Sequence, residues 1–214
     1  MKKIHYLIFD VDDTLVNTEL AIANIIHQQF GFQCPLNTYL NPGNTNNHHA
    51  QVLAEAKFMV DTPLEEGTAE LFALLPTLKE AGYKLAICTH RGYHAEGENH
   101  TIAMLERYQV RGYFDDIIIL DFNQHPDKVA FLEAYLDENE TFTLFDDRPR
   151  FDQTHPVDAN VVVVDRPWNQ NIQCVHRCYN VFTFVNSMLQ TRLARRAKLA
   201  NLPRPREMKY VGGD

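Results

Sequence analysis

Residues 4–15 read Ile4-His-Tyr-Leu-Ile-Phe-Asp-Val-Asp-Asp-Thr-Leu15. The apolar run from Ile4 to Phe9 predicts a buried strand, and the carboxylates of Asp10 and Asp12 follow where that run ends. In open α/β sheets, the crevice at the carboxyl ends of the strands is where ligands bind. Because clustered carboxylates repel one another unless a cation or a proton holds them, this segment indicates a Mg²⁺-dependent site that acts on a phosphate.

Further short apolar runs, rich in β-branched residues, predict the other strands of a parallel sheet. They are Lys84–Cys88, Ile117–Leu120, Phe142–Phe145 and Val161–Val164. Helical spacing of apolar residues between the runs predicts crossover helices. These helices are Thr68–Ala81, Ile102–Tyr108 and Lys128–Leu136. The alternation predicts an α/β fold, a three-layer doubly wound parallel sheet.

The interval between Leu15 and Pro63 is too long for a simple crossover connection. Helical patterns over Glu19–Phe30 and His49–Val60 flank a polar loop at Asn41–Asn47. We therefore expect a small helical cap, inserted after the first strand. The expected division gives residues 1–16 and 65–190 to the catalytic core, residues 17–64 to the cap and residues 191–214 to a basic C-terminal tail.

Charge is distributed unevenly along the chain. The net charge is −8, but residues 191–214 hold seven Lys or Arg against two acids, so residues 1–190 carry −13. An acidic body argues against broad nucleic-acid binding. The sequence has no 18-residue apolar run and no secretory leader pattern, which predicts a protein without a membrane span. Four cysteines are too few for a disulfide scaffold, and we expect a cytoplasmic location.

Four segments at predicted strand ends carry the groups that phosphoryl transfer requires. A carboxylate nucleophile attacks phosphorus, and a second carboxylic acid protonates the leaving oxygen and then deprotonates water. A hydroxyl and an ammonium hold the phosphate oxygens that are not transferred, and carboxylates hold Mg²⁺. The residues concerned are Asp10, Asp12, Thr89, Lys128, Asp146 and Asp147.

In their order and strand positions, these segments resemble the phosphatase branch of the haloacid dehalogenase-like (HAD) hydrolase superfamily, over residues 4–168. The resemblance implies strand order 5-4-1-2-3 and a cap after the first motif. It also implies that Asp10 is the nucleophile and Asp12 the general acid/base, and that Thr89 and Lys128 bind phosphate. The implied metal ligands are Asp10, the Asp12 carbonyl and Asp146, with Asp147 acting through a water or holding the loop. We add His90 to the expected phosphate site because it adjoins Thr89. Asp13 departs from the Gly of many members.

Two later blocks suggest the substrate. Phe145-Asp-Asp-Arg-Pro149 and Asp165-Arg-Pro-Trp-Asn169, together with Asp127-Lys128, resemble the 5′(3′)-deoxyribonucleotidase family. This resemblance implies a nucleoside monophosphate, and hence a small phosphorylated metabolite, as the partner. The aromatic residues of the expected cap are interpreted as cap packing rather than as a base-binding cluster. They are Phe30, Phe32, Tyr39 and Phe58.

Two alternatives stay open. The Asp146-Asp147-Arg148 block also resembles the 3′-phosphatase domain of polynucleotide kinase/phosphatases, in which case the basic tail would follow a nucleic-acid strand. A non-enzymatic phospho-receiver would also use an acidic pocket, a Thr and a Lys. A receiver, however, needs neither Asp12 as a proton shuttle nor a cap.

Overall fold

The computed structural model describes residues 3–31, 48–150 and 157–200. The strands are β1 (Ile4–Phe9), β2 (Tyr83–Thr89), β3 (Asp116–Ile119), β4 (Glu140–Asp146), β5 (Val157–Val164) and β6 (Cys174–Cys178). The helices are α1 (Thr18–Phe30), α2 (His48–Glu55), α3 (Phe58–Asp61), α4 (Thr68–Glu80), α5 (Gly97–Arg107), α6 (Lys128–Tyr135) and α7 (Val181–Ala200). The six strands form one sheet in the order β3-β2-β1-β4-β5-β6, and every neighbouring pair is parallel.

Alternation of side chains along the central strands divides the core into two apolar layers. Leu7 and Phe9 of β1 lie in one layer with residues of α4, α5 and α7. Ile8 lies in the other layer with Val129 and Leu132 of α6. Both faces of the sheet are therefore covered, which explains why the strands read as continuous apolar runs. The predicted three-layer fold is confirmed.

The predicted strand order 5-4-1-2-3 is also confirmed, and β6 extends it beyond β5. This strand was not expected from the sequence. It lies at an edge of the sheet, and Val175 and His176 at its centre are exposed. An exposed edge strand needs no apolar run, so its sequence lacks the pattern that identified the other strands.

A helical insertion follows β1, as predicted. Helix α1 begins after Asn17, whose side chain accepts a hydrogen bond from the Leu20 amide, and ends at Gly31 with a φ of +68°. The three helices α1, α2 and α3 share a small apolar cluster of their own, which includes Ile22, Ile26 and Met59.

The two connections of the insertion meet where they leave the core. The Asn17 amide donates to the Pro63 carbonyl at 2.8 Å, and the Glu65 amide donates to the Leu15 carbonyl at 3.0 Å. The prediction of one helix over His49–Val60 is wrong, because Ala56 adopts a φ of +52° that separates α2 from α3. The predicted loop Asn41–Asn47 lies outside the described residues.

The basic residues after position 191 belong to a longer element than expected. Helix α7 runs through the predicted boundary at 190/191, so its second half carries the four basic residues Arg192, Arg195, Arg196 and Lys198. Its first half packs Val185 and Leu189 into the core. Within the described ranges, no helix combines the length and the apolar character needed to cross a membrane.

Candidate active site

The pairing of β1 with β4 brings two of the predicted acids together. Phe9 pairs with Phe145, and the Asp10 amide donates to the Phe145 carbonyl at 2.9 Å. Asp10 and Asp146 therefore lie level with each other at the carboxyl ends of adjacent strands, next to Asp147. Carboxylate oxygens of these three buried residues lie within 4.8 Å of one another.

The three carboxylates fit a divalent cation. Burial raises the pKa of Asp10 to about 7, with the charges of Asp146 and Asp12 adding to the effect against the opposing charge of Lys128. Burial, followed by the charges of Asp146, Asp13 and Asp10, raises the pKa of Asp147 well above its usual range. Ionising these groups together is unfavourable unless positive charge is added, and hard oxygen ligands suit Mg²⁺. The side chain of Asp12 is not part of this group, and its predicted carbonyl contact stays a prediction.

Lys128 joins two of these acids. It is the first residue of α6, and the Asp127 side chain caps that helix by accepting from the Ala130 amide at 3.0 Å. The Nζ atom of Lys128 lies 2.8 Å from Oδ1 of Asp10 and 2.7 Å from Oδ2 of Asp146. Burial opposes the charged form of Lys128, but the two carboxylates outweigh it and raise the pKa. Lys128 therefore stays charged between the two carboxylates.

Asp12 is held by an arginine that the sequence analysis did not select. Nε and Nη2 of Arg91 donate to Oδ2 and Oδ1 of Asp12 at 2.9 and 2.8 Å, and the Thr18 hydroxyl donates to Oδ1 at 2.5 Å. Burial raises the pKa of Asp12, but Arg91, Thr18 and Lys128 outweigh it, so the net pKa is lowered. Arg91 follows Thr89 by two residues, and that position was the only available clue to it.

Thr89 and His90 lie on the β2 side of the crevice. Thr89 is buried at the end of β2, and its carbonyl accepts from the Leu120 amide at 2.8 Å. The His90 Nε2 atom lies 2.8 Å from the His125 carbonyl. Burial, followed by the charge of Lys128, lowers the pKa of His90 to about 3, so the ring is neutral. A neutral His90 cannot balance phosphate charge, and both phosphate contacts stay predictions.

The Arg166–Asn169 segment holds the Asp147 loop through hydrogen bonds. Trp168 Nε1 donates to Oδ2 of Asp147 at 2.7 Å, and the side-chain Nδ2 of Asn169 donates to the Asp147 carbonyl at 2.9 Å. The Asp147 amide donates to the Thr14 hydroxyl at 3.2 Å. Hydrogen bonds of this kind fix the orientation of a carboxylate such as that of Asp147. The sequence analysis noted this block only as a family resemblance.

Asp13 occupies a left-handed backbone position, with a φ of +53°. Asp tolerates this region better than most residues with a Cβ, and Gly tolerates it best. The Asp13 side chain accepts from the Glu19 amide at 3.0 Å, and its carbonyl accepts from Arg166 Nε at 2.8 Å. The conformation explains why Gly and Asp are both compatible with this position.

Two aromatic rings follow the carboxyl ends of β2 and β3. The rings of Tyr93 and Phe122 have centroids 6.1 Å apart, and Tyr93 is 36% exposed. Burial of its hydroxyl, followed by the charge of Asp12, raises the pKa of Tyr93.

Comparisons with known proteins agree on the fold. No family model matches the sequence, and no curated protein matches it. A predicted phosphatase from Clostridium acetobutylicum is similar in structure, with a TM-score of 0.57 and 17% identity over 90% of this chain and 99% of that chain. A HAD-hydrolase from Bacillus subtilis bound to magnesium gives a TM-score of 0.56 and 14% identity, over 88% of this chain and 99% of that chain. A haloacid dehalogenase-like family protein from Streptococcus pneumoniae gives a TM-score of 0.56 and 15% identity, over 88% of this chain and 100% of that chain. The chain therefore has the HAD-like fold.

Proposed function

We propose, with the HAD-like fold as the premise, that this chain is a Mg²⁺-dependent phosphomonoester hydrolase that works through an aspartyl-phosphate. The observation that carries the proposal is the convergence of Asp10, Asp146 and Asp147 within 4.8 Å, with the Lys128 ammonium against two of them. A catalytic carboxylate, a hard-cation site and a fixed positive charge are the minimum that this reaction needs.

Each residue then has a defined role. An Asp10 oxygen forms a bond to phosphorus as the bond from phosphorus to the ester oxygen breaks. Because the pKa of Asp12 is lowered in the free site, Asp12 must first take up a proton from solvent, which it then transfers to that departing oxygen. Asp12 next takes a proton from water, which attacks phosphorus and releases Asp10. Lys128 and Thr89 hold the oxygens that are not transferred. Mg²⁺, held by Asp10, Asp146, Asp147 and the Asp12 carbonyl, would supply the charge that lets an anionic nucleophile approach an anionic ester.

A nucleoside monophosphate is the substrate that we favour, with the enzyme acting as a 5′-nucleotidase. The resemblance of the Phe145–Pro149 and Asp165–Asn169 blocks supports this choice. Phe58 and the partly buried Phe30 pack within the insertion, which supports their interpretation as cap packing, whereas Phe32 and Tyr39 lie outside the described residues. We propose that the Tyr93 and Phe122 rings, which lie after the carboxyl ends of β2 and β3, contact a planar leaving group.

The polynucleotide 3′-phosphatase alternative is less well supported. This alternative rests on the basic segment near the C-terminus. In the structure, Arg192 lies over the Tyr83 ring at 4.1 Å, and Tyr83 is the first residue of β2. Thr89, at the site, is the last residue of that strand. The basic half of α7 therefore meets the sheet about 20 Å from the crevice, at the opposite end of β2 from Thr89.

The test is a phosphate-release assay on the full chain with Mg²⁺. The substrates are a panel of nucleoside 5′- and 3′-monophosphates, sugar phosphates, a 3′-phosphorylated oligonucleotide and p-nitrophenyl phosphate. We expect multiple turnovers, highest kcat/KM for a nucleoside monophosphate, loss of activity in EDTA and recovery with Mg²⁺. A preference for the oligonucleotide would favour end processing instead. Absence of turnover on every substrate would reject the hydrolase and favour a phospho-receiver.

A further inference from the structure

We propose that Arg91 is a positioning residue for the proton-transfer step, because it fixes the Asp12 carboxylate and joins that orientation to helix α3 of the insertion. The proposal rests on the hydrolase function above. Arg91 has a fully buried side chain, with 0% exposure, whereas the Asp12 side chain is 27% exposed. A guanidinium taken out of water must have its charge and donors satisfied by the protein.

Close packing confines the backbone around Arg91. Arg91 begins a short 3₁₀ turn, Arg91–Tyr93, directly after β2 and His90. Gly97 packs so closely that a Cβ there would lie 1.9 Å from the Arg91 carbonyl oxygen. Gly92 is as confined, since a Cβ there would lie 2.7 Å from the Leu120 carbonyl carbon. The backbone that carries the Arg91 side chain is therefore held in place.

Three nitrogens of Arg91 are directed at two different parts of the molecule. Nε and Nη2 donate to the two Asp12 oxygens at 2.9 and 2.8 Å, and Nη1 donates to the Met59 carbonyl of α3 at 2.9 Å. A two-point contact from a planar guanidinium fixes both the position and the plane of a carboxylate. The Thr18 hydroxyl holds Oδ1 from α1 as well. Asp12 thus takes its orientation from Thr18 of the insertion as well as from Arg91, which follows β2.

A second arginine contacts the same helix without reaching Asp12. Nη1 of Arg107 donates to the Val60 carbonyl at 3.2 Å and to Oδ1 of Asp61 at 2.8 Å. Arg107 is on α5, and its side chain is 48% exposed. The two arginines therefore separate two roles: both attach α3 to the core, but of the two only Arg91 contacts the acid.

Positioning matters most where the leaving oxygen needs a proton. An acid must lie about 2.6–3.2 Å from the atom that it protonates, and proton transfer contributes roughly 10²–10⁴-fold to such reactions. Phosphates with acidic phenols as leaving groups need little help, whereas alkyl phosphates need all of it. A displaced Asp12 should therefore slow alkyl phosphates selectively, whereas a general loss of structure should slow all esters alike.

The experiment measures kcat/KM with Mg²⁺ for a series of aryl and alkyl phosphates whose leaving groups differ in pKa. The variants are Asp12→Asn, Arg91→Lys, Arg91→Gln and the control Arg107→Lys, with the thermal midpoint recorded for each. We expect Asp12→Asn to steepen the dependence on leaving group. Both Arg91 variants should show the same steeper dependence, with kcat/KM lowered about 10²-fold or more on alkyl phosphates and less than about 10-fold on p-nitrophenyl phosphate. Arg107→Lys should show the same dependence of kcat/KM on leaving-group pKa as the wild type.

Parallel losses across the series in both Arg91 variants would overturn the positioning role while leaving the hydrolase proposal intact. If the wild type hydrolysed none of the esters, the hydrolase proposal would fail and the positioning role would fall with it. A crystal structure of the wild type with Mg²⁺ and aluminium fluoride needs no variant, so poor folding of the Arg91 variants does not prevent a decision. Both contacts from Arg91 to Asp12 must persist in that complex, and their loss would reject the proposal.

Discussion

Oδ1 of Asp10 lies 2.8 Å from Nζ of Lys128, in an ion pair of which neither partner is more than 7% exposed. The pair joins the end of the first strand to the start of α6, two segments far apart in the chain. Lys128 also contacts Asp146, so one ammonium faces two carboxylates. Burial, with the charges of Asp146 and Asp12 adding to it against the opposing charge of Lys128, raises the pKa of Asp10, and this buried acidic cluster is the basis of the predictions that follow.

Replacing Asp10 by Asn should abolish catalysis without unfolding the protein. The amide cannot form the aspartyl-phosphate, so we expect kcat to fall by at least about 10³-fold. Lys128 keeps Asp146 as a partner, and the loss of one buried charge relieves repulsion, so the thermal midpoint should be unchanged or higher. Asp115→Asn, at a distant ion pair with Lys79 and Lys84, is the control and should keep full kcat. Near-normal hydrolysis by Asp10→Asn would contradict the nucleophile assignment.

Stability without metal should depend on pH through Asp10. Its pKa is about 7 in the folded chain, against an ordinary value near 3.8, so the folded state binds more protons between these values. The free energy of unfolding should therefore fall as pH rises from about 4 to about 7, by on the order of a few kcal/mol from this group.

Asp12 has a lowered pKa and works in the opposite direction, so the informative quantity is a difference. Urea unfolding of the wild type and Asp10→Asn, from pH 4 to pH 8 in EDTA, gives the contribution of Asp10 together with its interaction with Asp147. The wild type should lose stability relative to the variant as pH rises, and Mg²⁺ should restore it above pH 7. Parallel pH profiles for the two proteins would show that the Asp10 carboxyl is not perturbed.

Trp168 should report metal binding directly. It is the only tryptophan of the chain, and its Nε1 atom lies 2.7 Å from Oδ2 of Asp147. Adding MgCl₂ to the metal-free protein should produce a saturable change in tryptophan emission, which Asp147→Asn should remove or weaken by 10-fold or more in Mg²⁺ affinity. The control Asp158→Asn changes a half-exposed acid paired with Arg150 and should keep the response. An unaltered titration in Asp147→Asn would exclude this loop from the metal site.

Asp13 allows backbone strain to be separated from side-chain chemistry. Asp13→Gly and Asp13→Ala both remove the acceptor of the Glu19 amide, but only Gly enters a φ of +53° without cost. We expect the Ala variant to be less stable than the Gly variant by about 1 kcal/mol, measured by urea unfolding in the presence of Mg²⁺. Equal stabilities would mean that the turn relaxes when the carboxylate is removed.

The strands and the acidic cluster could be predicted from sequence because both depend on local pattern. Doubly buried strands require continuous apolar runs, and parallel strands bring their carboxyl ends to one edge of the sheet. Asp10 and Asp146 could therefore be expected together before any coordinates existed. Strand β6 escaped prediction because an exposed edge position places no such demand on its sequence.

The residues that hold the acids could not be predicted in the same way. Arg91, Trp168 and Asn169 act on partners distant in sequence, and their contacts depend on how a buried loop packs against the insertion and the sheet. The break between α2 and α3 is similar, because the positive φ at Ala56 is imposed on a residue that otherwise favours helix. Local patterns carry no information about such tertiary constraints.

The central claim is that Asp10 accepts the phosphoryl group. A crystal structure of the wild type grown with Mg²⁺ and beryllium fluoride, which mimics a phosphoryl group on a carboxylate, tests it most directly. We predict a beryllium fluoride adduct on an Asp10 carboxylate oxygen, in contact with the Lys128 ammonium and with Mg²⁺ bound by Asp146. An adduct on another carboxylate, or a Mg²⁺-loaded site that binds no beryllium fluoride, would contradict the account.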